Sequence, residues 1–370
     1  MTRVLAPTAA NLQDAAQRLR AGELVGMPTE TVYGLAGNAL DSSALAKIFA
    51  MKDRPTFDPL IVHIAKPRRR SERDLRVLLE APGLVDASAM SEKARARAAR
   101  LASAFWPGPL TLVLPRGPAI PDLVTAGLDT VAIRMPAHPV AQSLLALCGL
   151  PLAAPSANRF GRISPTKAEH VVAELGERLD VVLDGGPCAI GVESTVVAIA
   201  NDGTLTLLRP GGIPVEAIAA VAGEIPEARA GILEENGKAA ASPGMSASHY
   251  APAKPLVLLD GPLREMSAIP SLLLGGMRIG LLVSGGSRGA ADKRFRVLGG
   301  PAPALSVTLS HSRDLSEAAS RLFGVLRQFD AKEDVDLIVA EPPAEAGGLA
   351  HAIRDRLTRA SRRADRPPRT

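Results

Sequence analysis

Residues 223–254, GEIPEARAGILEENGKAAASPGMSASHYAPAK, interrupt an otherwise periodic chain. They follow neither the 3.6-residue period of an amphipathic helix nor the two-residue period of a strand. Small, polar, Gly/Pro/Ala-rich stretches of this kind connect domains. The interruption divides the 370 residues into two blocks, each alternating helical and extended patterns. The expected organisation is a first domain over 1–222, a linker over 223–254 and a smaller domain over 255–370.

In the first block, Thr8 can cap a helix that runs to Arg20 and stops at Gly22, and Asp41 or Ser42 can cap another that ends near Met51. Two charged helical patterns follow near 71–80 and 91–104, with further helices at 138–147 and 166–175. Short apolar runs at 24–27, 60–64, 110–115, 130–135, 151–154, 180–183, 195–199 and 205–208 read as strands. This is a mixed α/β pattern with more strands than a simple strand–helix alternation requires. In the last block, Leu256–Leu259, Arg278–Val283 and Asp336–Ala340 read as strands. Asp314–Phe329 and Leu349–Arg362 read as helices, the pattern of a small doubly wound α/β unit.

Composition excludes several classes. No run of about 18 apolar residues is present, so a membrane-spanning helix is not expected, and the N-terminus lacks the apolar core of a signal peptide. A cytoplasmic location is the expectation. Cys148 and Cys188 lie far apart and form neither a disulfide framework nor a zinc spacing; each reads as a small core residue. Aromatic residues are 3% of the chain, too few for the stacking platforms of single-strand nucleic-acid binders. The net charge of +5 is concentrated in 66–103 and 351–370. Such patches attract polyanions such as tRNA; the plainer reading is a solvated helix face.

No Walker loop, dinucleotide fingerprint, H-E-x-x-H or G-x-S-x-G occurs. Ser284-Gly285-Gly286-Ser287 follows a strand pattern and can touch phosphate or serve as a simple turn. Chemistry-bearing residues cluster instead in loops of the first block. Pro28–Leu35 holds two threonines, a carboxylate and a phenol. Lys52 and Arg54 lie just past a helix before Pro55; two cations there can clamp a triphosphate or merely cap the helix. His63 sits in an apolar run, as a ligand or as a satisfied core histidine. Phe105-Trp106-Pro107 reads as a structural wedge beneath a site. Arg134 lies in an apolar strand and needs a partner, either a protein carboxylate or a substrate carboxylate. Ser156 and Ser164 offer hydroxyls, although Ser164 or Thr166 can instead cap the next helix. Ser194 and Arg209 add another hydroxyl and cation beside glycines and prolines. Together these loops offer four cations, many hydroxyls and no nucleophile–base pair. Such a set suits electrostatic catalysis of phosphoryl or nucleotidyl transfer, not covalent acyl transfer.

The ordered motifs PTETVYGL, KDRPTFDPLIVHI, FWPGPLTLVLP, TVAIRMPAHP, APSANRFGRISPT, GVESTVV and LRPG resemble those of the YrdC-like domain. SPGMSASHYAP and the closing GGLAHAIRDRLTRAS resemble the long, two-domain threonylcarbamoyl-AMP synthases, and the resemblance covers nearly the whole chain. It implies a YrdC-like twisted mixed sheet with helices, followed by a smaller Rossmann-like α/β domain. It implies that L-threonine, bicarbonate and ATP give threonylcarbamoyl-AMP and pyrophosphate, with magnesium accompanying ATP. The product would serve threonylcarbamoyladenosine formation in tRNA, which makes tRNA and the tRNA-threonylcarbamoyl transferase proteins candidate partners.

By the same resemblance, Thr31, His63, Arg134, Ala154 and Ser194 would hold threonine. Arg54, Asp58, Thr130, Ser156, Ser164, Arg209 and Tyr250 would hold ATP. Lys52 and Arg54 would be catalytic, screening the phosphates, and the segment carrying Tyr250 would act as a lid that excludes water. Asp58 stands where many relatives carry Asn, so its role is open between ribose and magnesium. Segment 66–103 is longer and more basic than the resemblance leads one to expect. YrdC-like domains have also been linked to double-stranded RNA, and related domains occur in carbamoyl-phosphate-using transferases. The extra domains of the latter are absent from this chain.

Overall fold

The computed structural model describes residues 2–67, 83–228, 249–269 and 276–362. The helical pattern expected at 71–80 and most of the stretch read as a lid lie outside the described residues. The chain forms two compact units. The first comprises Met1–Phe160, Ser164–Ala189 and Glu193–Ser246; the second comprises Gly161–Ile163, Ile190–Val192 and Ala247–Thr370.

The first unit is built on an 11-stranded mixed sheet among the described residues. Its strands are β1 (Arg3–Leu5), β2 (Val25–Met27), β3 (Gly34–Asn38), β4 (Ile61–His63), β5 (Leu110–Pro115), β6 (Thr130–Arg134), β7 (Leu152–Ala153), β8 (Val181–Leu183), β9 (Thr195–Ile199), β10 (Leu205–Arg209) and β11 (Glu227–Ala228). The spatial order is β1-β8-β2-β3-β7-β4-β6-β5-β9-β10-β11. Its helices are α1 (Ala9–Arg20), α2 (Ser42–Lys52), α3 (Glu92–Phe105), α4 (Asp122–Thr125), α5 (Pro139–Cys148), α6 (Ala168–Leu175) and α7 (Val215–Ala222). Thr8 caps α1 by accepting from the Asn11 amide, and Asp41 caps α2 by accepting from Ser43, as the sequence predicts. The cap expected from Ser164 or Thr166 does not form. Helix α6 starts after Lys167, whose ammonium cannot accept from the first turn, and the Ser164 hydroxyl donates to Glu193 instead.

Strand alternation divides the core. Val181 and Leu183 pack with Ala15, Leu19, Leu144 and Leu145 of α1 and α5, while Val182 between them packs with Ile48, Leu101 and the fully buried Trp106. Helices therefore cover both faces of this half of the sheet. Further along, Val62, Leu112 and Ile133 point into the larger cluster, so Ile61 and His63, Thr111 and Val113, and Ala132 and Arg134 share the opposite face. That face carries the polar groups described below. Both cysteines are buried free thiols.

The second unit holds a four-stranded parallel sheet of β12 (Leu256–Leu258), β13 (Ile279–Gly285), β14 (Leu305–Ser310) and β15 (Leu337–Ala340), in the order β12-β15-β13-β14. Helices α8 (Arg288–Val297), α9 (Leu315–Asp330) and α10 (Ala350–Ser361) complete it. Phe295 of α8 packs on the Ile279/Leu281/Val283 face, whereas a Cβ at Gly280 would strike Phe329 of α9. The sheet is thus wound on both faces. Strand β14 and helix α8 were not among the elements read from the sequence. No helix among the described residues is long and apolar enough to cross a membrane.

The basic stretches are not uniformly solvated faces. Within 66–103, residues 68–82 lie outside the described residues; on α3, Arg95 pairs with Glu92 and Arg97 with Glu224. On α10, Arg356 and Arg359 are buried and both pair with Asp355.

Candidate active site

The register of three neighbouring strands sets the site. His63 on β4 lies opposite Arg134 on β6, and Arg134 lies opposite Thr111 on β5. One level of the sheet therefore presents an imidazole, a guanidinium and a hydroxyl side by side. Thr111 Oγ1 lies 2.8 Å from the Ser194 hydroxyl, which stands just before β9. Ala154, just past β7, is tied into the same sheet by its amide, which donates to Ile61 O at 3.1 Å.

Arg134 is 4% exposed and fully engaged on one side. Its Nε donates to Gly108 O at 3.3 Å, Nη1 to Thr31 Oγ1 at 2.8 Å, and Nη2 to the Glu30 carboxylate. Glu30 Oε2 also accepts from the Ala137 and His138 amides, at 2.9 and 3.3 Å. Thr29 Oγ1, 2.9 Å from Thr31 Oγ1, braces the turn that carries both residues. Burial opposes ionisation of Glu30, but Arg134 and the backbone donors outweigh it and hold the carboxyl below its ordinary value. Of the two partners that the sequence left open for Arg134, the protein carboxylate is therefore present. Glu30 was the residue missed: it was visible as the lone acid of PTETVYGL, but nothing in the sequence joins it to an arginine about a hundred positions away. The guanidinium keeps a further N–H on each terminal nitrogen, a fork that can take a substrate carboxylate.

His63 is 2% exposed, with Nδ1 3.2 Å from Ile61 O. Burial, followed by the Arg134 charge, pulls its pKa down to about 3, so the ring is neutral at physiological pH.

The cations read as phosphate clamps are buried and hold loops. Lys52 ends α2, and its Nζ donates to the carbonyls of Ser156 and Asn158, pinning the loop after β7. Burial, then the neighbouring Arg54, pushes its pKa well below the ordinary lysine value. Arg54 donates to Asp58 O at 3.1 Å and Pro59 O at 2.7 Å, pairs with the Asp58 carboxylate at 3.0 Å, and lies over the Phe160 ring. Lys52 is also the basic residue of the last turn of α2, as the helix-capping alternative has it, while its head group bonds to the loop after β7 and that of Arg54 to the loop in which it stands. Arg209 donates to Ser194 O and Oγ at 3.0 and 3.2 Å, and Ser164 donates to Glu193.

Of the thirteen residues singled out by sequence, twelve lie in the first unit and Tyr250 in the second. Thr31, His63, Arg134, Ala154, Ser194 and Arg209 are linked by the contacts above, and Lys52 and Arg54 brace the loops around Ser156 and Asp58. Thr130 is exposed at the opposite end of β6 from Arg134. Tyr250 belongs to the second unit, where its ring stacks on Phe323 with centroids 5.7 Å apart and the Arg356 guanidinium lies 5.0 Å from its centroid. Its φ of +62° is a strained backbone for a bulky residue. Among the described residues no group of three His, Cys, Asp or Glu side chains is placed to hold a metal ion.

A family model described as telomere recombination, covering Sua5, YciO and YrdC proteins, matches residues 17–211. A second, described as the threonylcarbamoyl-AMP synthase C-terminal domain, matches residues 213–362. The chain belongs to the threonylcarbamoyl-AMP synthase family. Its two-domain form is shared with the threonylcarbamoyl-AMP synthase of Bacillus subtilis, 42% identical over 95% of this chain and 92% of that one. The Pyrococcus abyssi threonylcarbamoyl-AMP synthase is 41% identical over 94% and 93% of the two chains. A crystal structure of Pyrococcus abyssi Sua5 complexed with L-threonine superposes with a TM-score of 0.79 over 98% of this chain and 97% of that one, at 37% identity. The YrdC-like sheet and the smaller α/β domain implied by the sequence motifs are the architecture of this family.

Proposed function

We propose that the first unit makes threonylcarbamoyl-AMP from L-threonine, bicarbonate and ATP, releasing pyrophosphate, for threonylcarbamoyladenosine formation in tRNA. The observation that carries this reading is the buried Arg134 fork, held by Glu30 and Thr31 one strand from a neutral His63. A guanidinium fixed on one side by protein oxygens presents its remaining N–H groups in a set direction, which suits an amino-acid carboxylate. Thr31, His63, Ala154 and Ser194 would enclose the rest of threonine. The threonine amine, carried as a carbamate, would attack the α-phosphorus of ATP through a carbamate oxygen, and pyrophosphate would leave with the electron pair of the broken P–O bond.

Two anions meet in that step, so charge must be screened. Arg54, Arg209 and Lys52 would supply the positive field, with Asp58, Ser156 and Ser164 contacting ATP. Magnesium would enter as part of the ATP substrate, held by phosphate oxygens and water; the described side chains do not build a separate cage for it. No covalent enzyme intermediate is required.

The test is pyrophosphate release from ATP, with and without L-threonine and bicarbonate. Release is expected only with both, and serine is expected to lower it by about tenfold or more, since one methyl contact is worth ~1–3 kcal/mol. Release that ignores threonine, or none from folded protein, would overturn the reading.

A further inference from the structure

The second unit contains a cavity of about 340 Å³ that the reaction above does not use. Its place in the fold is specific. Chain order in the parallel sheet reverses at β13: the connection to β14 runs to one side, and the next strand, β15, returns to the other. In open, doubly wound sheets the crevice beyond the strand C-termini at such a reversal is where ligands bind. The cavity lies there, bordered by Ser284 and Gly285 at the end of β13 and by Glu341 at the end of β15.

Arg264, Arg294 and Glu345 are also in its lining, and two further sets of polar groups bear on a ligand. Glu341 is 93% buried by its 7% exposure, and its carboxylate accepts from the Leu263 and Ser284 amides at 2.9 and 3.3 Å. These bonds fix the carboxylate in the wall and leave it lone pairs for a further donor. Burial pushes the Glu341 carboxyl above its ordinary value. In the second set, α8 begins directly after Gly285-Gly286-Ser287, and Ser287 makes no side-chain cap to its first turn. Arg313 crosses this loop: a Cβ on Gly285 would sit 2.8 Å from Arg313 Cγ, and one on Gly286 would sit 3.5 Å from its guanidinium. Arg313 itself holds a φ of +62°. Two glycines thus give the arginine room to lie beside an open helix N-terminus, a combination that attracts a phosphate. Leu263, Ala291, Leu315 and Ala318 supply apolar lining.

We propose that this cavity binds a nucleoside monophosphate, with the phosphate at Ser287 and Arg313, the base against the apolar lining, and Glu341 accepting from a ribose hydroxyl or base amine. The site is independent of the reading of the first unit. The alternative for Ser284–Ser287, a simple turn, accounts for the strand-to-helix connection but not for the cavity beside it or for the arginine laid across it.

The test uses the full chain and AMP, read by hydrogen–deuterium exchange over residues 284–297, with adenosine and inorganic phosphate as partial probes. AMP is expected to slow exchange at the start of α8. Adenosine is expected to do so at concentrations about tenfold higher, because it lacks the charge-assisted contacts. Arg313→Ala should raise the AMP concentration required by about tenfold, and Ala290→Trp, on the exposed side of the cavity mouth, should abolish the protection. Neither substitution should change pyrophosphate release, so failure of this site and failure of the synthase reading are separable. No protection at millimolar AMP, or protection that survives Ala290→Trp, would overturn the proposal. Protection by inorganic phosphate equal to that by AMP would also overturn it, in favour of a simple anion site.

Discussion

Glu30 holds Arg134 in a buried ion pair across more than a hundred residues of sequence, and the two meet beside His63 on the polar face of the sheet. The acid balances the charge of the buried arginine and fixes one side of its guanidinium.

Glu30→Gln removes the negative partner and leaves a buried guanidinium with neutral acceptors only. Breaking one side of a buried pair costs about 3–5 kcal/mol, so a clear fall in the denaturation midpoint is expected in urea. The Michaelis constant for threonine should rise in the same variant, because Arg134 loses its anchor.

Arg134→Lys keeps the charge but cannot reach Gly108, Thr31 and Glu30 together. An ammonium does not reproduce a planar fork, so KM for threonine is expected to rise by about tenfold or more while KM for ATP changes little. Pyrophosphate release at varied threonine and at varied ATP separates the two. Unchanged threonine dependence in folded protein would remove Arg134 from the threonine site.

His63 is held neutral in the fold, with its pKa near 3 against 6.5 when free. Below pH 6.5 the unfolded chain takes up the proton that the folded chain refuses, so this residue subtracts stability as pH falls, by ~1.4 kcal/mol per unit until its folded pKa is approached. Glu30, lowered from 4.5, adds to the loss only at more acidic pH. Comparing stability from pH 7 to 5 in the wild type and in His63→Gln should show a shallower slope in the variant.

Ser194→Ala takes one hydroxyl from a cluster in which Thr111 and Arg209 both use it. Leaving those buried groups short of a partner should cost about 1–3 kcal/mol in thermal or chemical unfolding. Thr111→Val in the same background should recover part of the loss, since it removes the orphaned hydroxyl.

Lys52→Met keeps the apolar stem and removes the ammonium that pins the Ser156 and Asn158 carbonyls. If the lysine acts on phosphates as proposed, pyrophosphate release should fall by about a hundredfold or more, as for loss of a preorganised electrostatic group. A purely structural pin would lower stability while leaving turnover near that of the wild type in the fraction that remains folded.

The sequence by itself determined the class of fold and most strands of the first sheet, because hydrophobic period and capping residues are local signals; the units of the fold differ from the blocks read in sequence, since Gly161–Ile163 and Ile190–Val192 belong to the second. Thr8 and Asp41 cap the helices expected of them. It also flagged Arg134 as a charge in need of a partner, since an arginine in an apolar strand is costly whatever surrounds it. Tertiary structure alone decided who that partner is. The pairing of β4, β5 and β6 places His63, Arg134 and Thr111 at one level, and register between strands distant in sequence leaves no mark on any one of them. The same reason explains Thr130 and Arg134. They lie four residues apart in one strand and look like neighbours in sequence, but at about 3.3 Å per residue the extended chain carries them to opposite ends of β6. Strand β14, Leu305–Ser310, alternates apolar and polar residues with the two-residue period of a half-buried strand, so its signal was in the sequence although it was not read; its parallel pairing with β13 was not. On α10, Arg356 and Arg359 read as solvated charge, yet packing buries them with Asp355. Local pattern sets what each segment can be; long-range packing and register set which side chains meet.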